Sequence, residues 1–511
     1  MSNVGKTFLF TLLVVVGLQS LRFMPTVHVG GRTLRRVDLL SSVRPDKSDD
    51  NLSDRPIVTD SMTAMLDSMM IVGVGEVPVG WDDDENIVED DVSSQQYLEH
   101  TSRIRHLIVV PEDTADVGFT RIEEFPDSTG EGGMSHFYDA MANIDSLDRP
   151  VRIAYFGDSF IEGDILTADL RSMLQKKFGG CGVGYVPLVN RNPNFRPTVV
   201  HSYKGWIDHT VTDKQSFDEE LQDIYCRYFV TDGSGPSSVT LQGQRRYASR
   251  LDTCELSSFF FVASDTVTVR ATINNKDEET FTLLGDSAVR CLTVNGRIGK
   301  VEWTVERADS SSRFFAATMD GNDGIVLDNF NIRASNGLNL ANIPMSVLKA
   351  YNSMRHYDLI VLHYGLNIAA DKPQNYSYYT NGMARVIRKL KRAFPDVSIL
   401  IVSVSDREVK DEETGELRTM YGVLELMEAQ RQLAVQTNTA FWNLFEAMGG
   451  EGSIREMTEG EPQMANYDYT HINFRGGRHL AAKFYEAIAY GCQRYKNYAE
   501  HENENKQNDD I

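Results

Sequence analysis

From about residue 150 onwards, hydrophobic residues follow two alternating patterns, short continuous runs and longer stripes with helical spacing. Runs of four to eight apolar residues are typical of buried strands, and apolar residues recurring every three or four positions are typical of amphipathic helices. The predicted strands span 151–156, 358–364, 397–404 and 440–442, and the predicted helices span 161–178, 383–394, 423–435 and 480–495. This alternation predicts an α/β domain with a parallel sheet covered on both faces.

A different pattern interrupts this rhythm between residues 196 and 330. Hydrophobic and polar residues alternate over 267–273, and turn sequences recur at Asn274-Asn275, Asn295-Gly296 and Asp320-Gly321. Period-two alternation with frequent turns predicts short antiparallel strands. We therefore expect a β-sandwich at 196–330, inserted between a first part of the α/β domain at 146–195 and a second part at 331–497.

The N-terminal region predicts export followed by a tether. Lys6 precedes an apolar run at 8–18, which is shorter than the roughly 20 residues of a membrane-spanning helix. A charged start with an apolar middle predicts that residues 1–24 are a signal-anchor or a cleaved signal peptide. Residues 25–145 show no sustained period and predict a largely disordered linker, and residues 498–511 predict a disordered tail.

Composition narrows the classes of function. The 511 residues are 41% hydrophobic and 10% aromatic, enough for a substantial core, and the formal net charge is −22. An acidic chain without clustered Lys and Arg is not expected to bind nucleic acid. The five cysteines are scattered without zinc spacing, so buried thiols or one or two disulfides are expected, and a catalytic or metal-binding cysteine is not.

Two polar segments could supply nucleophilic catalysis. Ser159 follows the first strand and precedes a helix, where α/β proteins place ligands. Asp468 and His471, three residues apart before the last helix, could orient a carboxylate against an imidazole that deprotonates the serine. A helix N-cap at Ser159 and a capped helix start at Asp468 are the structural alternatives.

Two further positions could stabilise an oxyanion. Asn367 follows the strand 358–364, so its side-chain amide is expected on the same sheet edge as Ser159. Gly337 follows another predicted strand, 325–332, and its backbone amide could be a second donor, with Ala334 as the competing position. Both positions could instead be ordinary turn residues.

Together, Gly157-Asp158-Ser159, Gly337, Gly365-x-Asn367 and Asp468-x-x-His471 resemble the four blocks of the SGNH/GDSL hydrolases. The resemblance implies a flavodoxin-like three-layer α/β/α fold. It implies that Ser159 is the nucleophile, His471 the base and Asp468 the residue that orients it. The amides of Ser159 and Gly337, with the side chain of Asn367, would form the oxyanion hole.

A narrower resemblance extends over most of the chain after residue 150. The long β insertion, Gly205-Trp206, the run 440–442 and the segment 447–453 are similar to bacterial peptidoglycan O-acetylesterases and related periplasmic O-acetyltransferases. The resemblance implies that the insertion is carbohydrate-binding-like and that no cofactor is needed. It implies an envelope esterase acting on an acetylated glycan, in the periplasm or cell envelope and tethered through its N-terminal segment.

Two alternatives remain open from the sequence. The first is a glycan O-acetyltransferase with the same triad, which would receive acetyl groups from a membrane partner. The second is a non-catalytic glycan-binding protein.

Overall fold

The computed structural model describes residues 28–29, 32–33, 107–108, 110–112, 116–128, 130, 132–190, 192, 195–411 and 413–509. The apolar segment 8–18 and most of the first half of the predicted linker lie outside the described residues. The chain divides into two units, Met1–Ile71 and Val72–Ile511. Within the first unit, β1 (His28–Val29) and β2 (Arg32–Thr33) pair antiparallel.

The strands and helices of the second unit are as follows. The strands are β3 (Ile122–Glu124), β4 (Val151–Gly157), β5 (Gly184–Pro187), β6 (Val199–Lys204), β7 (Trp206–Thr210), β8 (Arg227–Thr231), β9 (Ser237–Gly243), β10 (Cys254–Ala263), β11 (Val267–Ile273), β12 (Asp277–Leu283), β13 (Asp286–Ile298), β14 (Lys300–Arg307), β15 (Arg313–Met319), β16 (Ile325–Asn331), β17 (Tyr357–His363), β18 (Ser398–Val402), β19 (Glu408–Lys410), β20 (Leu417–Thr419) and β21 (Ala440–Trp442). The helices are α1 (Ser135–Ala142), α2 (Thr167–Phe178), α3 (Met345–Arg355), α4 (Ser377–Ala393), α5 (Tyr421–Gln436), α6 (Leu444–Met448), α7 (Ser453–Glu459) and α8 (Phe474–Asp509).

A six-stranded sheet in the order β16-β4-β17-β18-β21-β3 forms the centre of the second unit. The first five strands are parallel, and β3 pairs antiparallel with β21 at the edge. All seven residues of β4 and of β17 are buried, as expected for strands covered on both faces. Helix α8 packs on α1 and α2, whereas α4 packs on α3 and α5. The predicted parallel α/β sheet is confirmed.

The sheet includes residues that the sequence assigned to the linker 25–145. Strand β3 completes the sheet, and helix α1 packs on β17 and β18. The pairing is fixed by long-range bonds, such as Trp442 Nε1 donating to the carbonyl of Thr120 at 3.1 Å. The linker prediction is therefore wrong for 122–142. The short sequence Ile-Glu-Glu carries no strand signal of its own and becomes a strand only because β21 offers an open edge.

The inserted β-sandwich is present, but its bounds differ from the predicted 196–330. One sheet has the order β13-β10-β15-β8-β7 with β5 on β15, and the other has the order β12-β11-β14-β9-β6. The insertion therefore begins with β5 and ends with β15. Strand β16 pairs in parallel with β4 and so belongs to the central sheet. Its residues 325–330 are accordingly buried on both faces. The core between the two sheets includes Trp303, which stacks on Phe259 at 5.5 Å between ring centroids.

Buried polar contacts attach the sandwich to the α/β domain. Arg355 at the end of α3 binds Asp320, just after β15, and Asp328 in β16, both at 2.8 Å. The hydroxyl of Tyr185 in β5 lies 2.7 Å from that of Tyr351 in α3. Since these groups are fully buried, the insertion is held in one orientation against the sheet.

Helix α8 continues to Asp509, so the predicted disordered tail 498–511 is helical over most of its length. None of the helices in the described part of the chain is long and apolar enough to cross a membrane. All five cysteines are free thiols.

Candidate active site

Three neighbouring strands bring the predicted residues to one edge of the sheet. Strand β4 lies between β16 and β17, and all three run parallel. Ser159 follows β4, Ala334 and Gly337 follow β16, and Asn367 follows β17. Because the carboxyl ends of parallel strands lie at the same edge, residues separated by more than 200 positions come together there.

Ser159 begins a short, kinked 3-10 helix, Ser159–Asp164. The kink lies at Gly163, whose φ of 60° is in the left-handed region. A Cβ atom there would lie 2.4 Å from the ring of Phe195, so only glycine fits. The Asp158 side chain caps the helix by accepting a hydrogen bond from the Phe160 amide at 3.0 Å. Asp158 therefore acts as the N-cap, and the hydroxyl of Ser159 does not.

Ser159, His471 and Asp468 form a continuous hydrogen-bonded relay. The Oγ atom of Ser159 lies 3.2 Å from Nε2 of His471, and Nδ1 of His471 lies 2.6 Å from Oδ2 of Asp468. Each distance is within the range in which a base can take a proton from a hydroxyl while a carboxylate orients the imidazole. The three side chains that the sequence singled out are thus brought together in this order.

Asp468 and His471 lie on a small closed loop before α8. Asn466 donates its amide hydrogen to the carbonyl of His471 at 2.8 Å, and the amides of Thr470 and His471 both donate to Asp468 Oδ1 at 3.0 Å. Burial acts to raise the pKa of Asp468, but the imidazole of His471 and these two amides outweigh it, and the pKa is lowered. Asp468 therefore stays ionised, as an orienting carboxylate requires.

Asn367 is held by two hydrogen bonds to the surrounding loops. Its Nδ2 atom donates to Oδ2 of Asp158 at 2.9 Å and to the carbonyl of Ser335 at 2.9 Å. Both amide hydrogens are therefore engaged, so an oxyanion would share one of them. Burial raises the pKa of Asp158 to about 6, although the amide of Phe160, the charge of His471 and the Asn367 amide oppose the shift.

The two candidate second-block amides, those of Gly337 and Ala334, differ in their hydrogen bonding. The Gly337 amide donates to Oγ of Ser335 at 3.0 Å and is thus engaged in its own turn. The amide of Ala334 has no hydrogen-bond partner in the part of the chain that the structure describes. Ala334 adopts a φ of 59°, an unusual value for a non-glycine residue, and the next carbonyl along the chain accepts from Asn367. This geometry favours Ala334 over Gly337.

A buried ionic cluster anchors the segment that carries Ser159. Asp164 accepts hydrogen bonds from Arg171 at 3.1 Å, Arg196 at 2.8 Å, Thr198 at 2.6 Å and Asn329 at 2.8 Å. Burial would raise the pKa of Asp164, but the two guanidinium groups outweigh it and hold the pKa well below its usual range. Arg196 and Thr198 lie in the insertion, so the cluster joins the insertion to the Ser159 segment.

Two further charged residues border the relay. Glu162 lies 3.7 Å from Arg333, which precedes Ala334, so this pair joins the Ser159 segment to the loop after β16. Arg407, after β18, donates from Nη1 to the carbonyl of Leu366 at 3.3 Å. Burial lowers the pKa of Arg407, and the charges of Asp468 and Asp371 oppose that shift.

Sequence reasoning assigned no role to Asp158, Asp164, Glu162 or Arg407. Asp158 belongs to the Gly157-Asp158-Ser159 block, so its position directly before Ser159 could have indicated a role at the site. Asp164 and Arg407 gave no signal, because most of their partners, such as Arg196 and Asn329 for Asp164 and Leu366 for Arg407, are distant in sequence.

Comparison with known proteins extends the description of the fold. No protein-family model matches the sequence, and no curated protein matches it. A solved structure of a peptidoglycan O-acetylesterase matches with a TM-score of 0.60 and 20% sequence identity, covering 73% of this chain and 99% of that chain. Weaker matches include a protein from Bacillus subtilis, with a TM-score of 0.28, 11% identity and coverage of 57% and 90% of the two chains. An acetyl xylan esterase matches with a TM-score of 0.23, 16% identity and coverage of 32% and 81%.

The match to the peptidoglycan O-acetylesterase includes nearly the whole of that chain and almost three quarters of this one. The described residues thus adopt the fold that the resemblance implied, and this chain shares its fold with a peptidoglycan O-acetylesterase.

Proposed function

We propose that this protein is a serine esterase that removes O-acetyl groups from an envelope glycan. The observation that carries the proposal is the relay from Ser159 through His471 to Asp468, with distances of 3.2 and 2.6 Å. Such a relay activates a hydroxyl that would otherwise be a weak nucleophile at neutral pH.

In the first half of the reaction, Ser159 Oγ attacks the acetyl carbonyl carbon while its proton passes to Nε2 of His471. The carbonyl oxygen becomes an oxyanion. When the tetrahedral intermediate collapses, the bond to the sugar oxygen breaks, and the imidazolium of His471 returns the proton to the departing sugar hydroxyl. The acetyl group remains as an ester on Ser159.

In the second half, water takes the place of the sugar alcohol. His471 removes a proton from water as the water oxygen attacks the acetyl-serine, and the imidazolium then protonates Ser159 Oγ as acetic acid leaves and ionises in solution. The charge of Asp468, which stays ionised, stabilises the imidazolium in both halves.

The oxyanion would be stabilised by the Ser159 amide, the Asn367 side chain and a backbone amide of the second block, which we assign to Ala334. Removal of one such donor typically costs about 3 kcal/mol of transition-state stabilisation. Asn367 is the donor whose contribution mutagenesis can test directly, because its hydrogens belong to a side chain.

The acetylated-glycan substrate is supported by the shared fold with a peptidoglycan O-acetylesterase and by an insertion that is rigidly attached beside the nucleophile segment. We extend the proposal to location: the enzyme acts in the periplasm or cell envelope, and its N-terminal segment tethers it to the membrane. The carbohydrate-binding role of the insertion and a membrane acetyl-transfer partner remain predictions.

The test is acetate release by the full chain from 4-nitrophenyl acetate and from O-acetylated peptidoglycan. Ser159→Ala is compared with Ser234→Ala, which removes an exposed hydroxyl in the insertion. We expect turnover to be lost in the first variant and retained in the second. Equal turnover in wild type and Ser159→Ala would refute the proposal. Acetyl transfer to added glycan in preference to water would instead identify the transferase.

A further inference from the structure

The hairpin formed by β19 and β20 lies against the loop that carries the catalytic acid and base. Its first amide, at Glu408, donates to the carbonyl of Tyr469 at 3.0 Å. At the other end, the amide of Met420 donates to the carbonyl of Arg407 at 2.8 Å. The backbone of Arg407 is therefore fixed at the base of the hairpin, between the Asp468 loop and the segment that follows β17.

The side chain of Arg407 reaches from this base to the Asn367 segment. Its Nη1 atom donates to the carbonyl of Leu366, the residue before Asn367, at 3.3 Å. Its Nε atom is buried and has no hydrogen-bond partner in the described part of the chain. The guanidinium thus lies between the residues that bear the oxyanion donor and those that bear the base.

Among the residues that the structure describes, no carboxylate lies within 4.0 Å of the Arg407 guanidinium. Other arginines around this hairpin are fully paired. Arg418 binds Asp371 at 2.8 and 3.0 Å and Asp411 at 3.1 Å, and Arg455 binds Glu408. In a chain with net charge −22, it is notable that a mostly buried cation beside the relay lacks a carboxylate partner.

An unpaired cation in this position has a cost. Burial lowers the pKa of Arg407, and the nearby charges of Asp468 and Asp371 only partly oppose that shift. Buried charges are normally paired, because desolvation without a partner destabilises the folded state. Such a group beside a catalytic relay is more readily explained by a ligand that supplies the missing negative charge.

Building on the proposed esterase function, we propose that Arg407 binds a carboxylate on the sugar that carries the acetyl ester. A guanidinium suits this role because its planar donors match a carboxylate in geometry and charge. N-acetylmuramic acid, with its lactyl carboxylate, has the required chemistry. Arg407 then selects acidic sugars, and the carboxylate replaces the ion-pair partner that the protein does not provide.

The test compares two substrates that differ in one charge: 6-O-acetyl-N-acetylmuramic acid and the same sugar with its lactyl group as a neutral amide. We expect Arg407→Gln to lower the ratio of kcat/KM for the acid to kcat/KM for the amide about tenfold, mainly through KM. Arg407→Lys should restore part of the ratio. Arg418→Gln, which removes the same charge from the same hairpin, should change the ratio less than twofold.

An equal loss on both substrates would overturn the proposal, since it would show that Arg407 only positions the Leu366 carbonyl. A second measurement is independent of turnover: calorimetric titration of the full-length Ser159→Ala protein with N-acetylmuramic acid and with its amide. Preference for the acid that disappears in the Arg407→Gln background supports the proposal, and no preference overturns it. If the wild-type protein shows no Ser159-dependent turnover, the esterase function is contradicted. The binding test can still be carried out, because it does not depend on turnover.

Discussion

The two halves of the catalytic relay are supported in different ways. The nucleophile half follows a fully buried strand and is anchored by Asp164, which is completely buried among two arginines. The acid-base half lies on a loop at the surface, where the Asp468 side chain is 34% exposed, and is held by backbone bonds within that loop. Buried ion pairs therefore fix the segment that carries Ser159. Local hydrogen bonds are enough to fix the loop that carries Asp468 and His471.

The largest expected effect is the loss of kcat when Asp468, in the acid-base half, is substituted. Asp468→Asn should lower kcat about 10⁴-fold, because the amide no longer stabilises the imidazolium or its correct tautomer. The free energy of unfolding should change by less than about 1 kcal/mol, since the carboxylate is partly solvated. Initial rates of acetate release and urea denaturation measure the two quantities. A strongly destabilised variant with nearly normal rates would contradict the comparison.

The second largest expected effect is a loss of stability when Asp164, which anchors the nucleophile half, is substituted. Asp164→Asn leaves Arg171 and Arg196 buried without a counter-charge, so the free energy of unfolding should fall by about 3–5 kcal/mol. The matched control is Asp371→Asn, which removes a carboxylate from the more exposed pair with Arg418 and should cost less than about 1 kcal/mol. Urea denaturation of both variants checks the prediction, and similar losses would show that burial of the charge is not decisive.

The stability that Asp158 contributes to the nucleophile half should depend on pH. Because burial raises its pKa to about 6 from 3.8, the folded state holds this proton more tightly than the unfolded state does. Wild-type stability from this group is therefore lost as pH rises from about 4 to about 6, by about 2–3 kcal/mol. Asp158→Asn cannot titrate, so its stability relative to wild type should rise by that amount over the same window. A stability difference that stays constant with pH would contradict the assignment.

The smallest effects concern the second-block loop. Gly337→Ala places a Cβ atom 2.7 Å from the Tyr364 ring at a φ of 84°, and should lower the free energy of unfolding by about 1–3 kcal/mol. Ala334→Gly relieves the strain of a left-handed φ of 59°, so it should raise the free energy of unfolding by up to about 1 kcal/mol. The backbone amide donor is kept. Thermal denaturation and acetate release distinguish the two variants. If Ala334→Gly destabilises the protein, the Ala334 backbone is not strained.

Much of the site follows from the sequence because parallel topology brings the strand ends together. Once 151–156 and 358–364 are assigned to neighbouring parallel strands, Ser159 and Asn367 must share an edge. The choice between Gly337 and Ala334 did not follow, because it depends on which amide already donates to Ser335. The partners of Asp164 come from α2, the insertion and the sheet together, and no local sequence pattern indicates such a cluster.

The bounds of the domains were harder to predict for a related reason. Residues 122–124 have no hydrophobic run, and β16 resembles the sandwich strands before it in length and composition. In both cases the sheet to which a strand belongs is decided by the partner edge that is open to it, which is a property of the assembled fold.

The edge strand β3 also has a consequence for biosynthesis. Thr120, next to β3, bonds to Trp442, which lies 322 positions later in the chain. Since ribosomes add roughly 5–20 residues per second, the β3 segment emerges well before β21, the strand it will pair with, has been made. During that interval the segment has no sheet to join. Pairing of β3 with β21 therefore has to wait until residues 440–442 have been made.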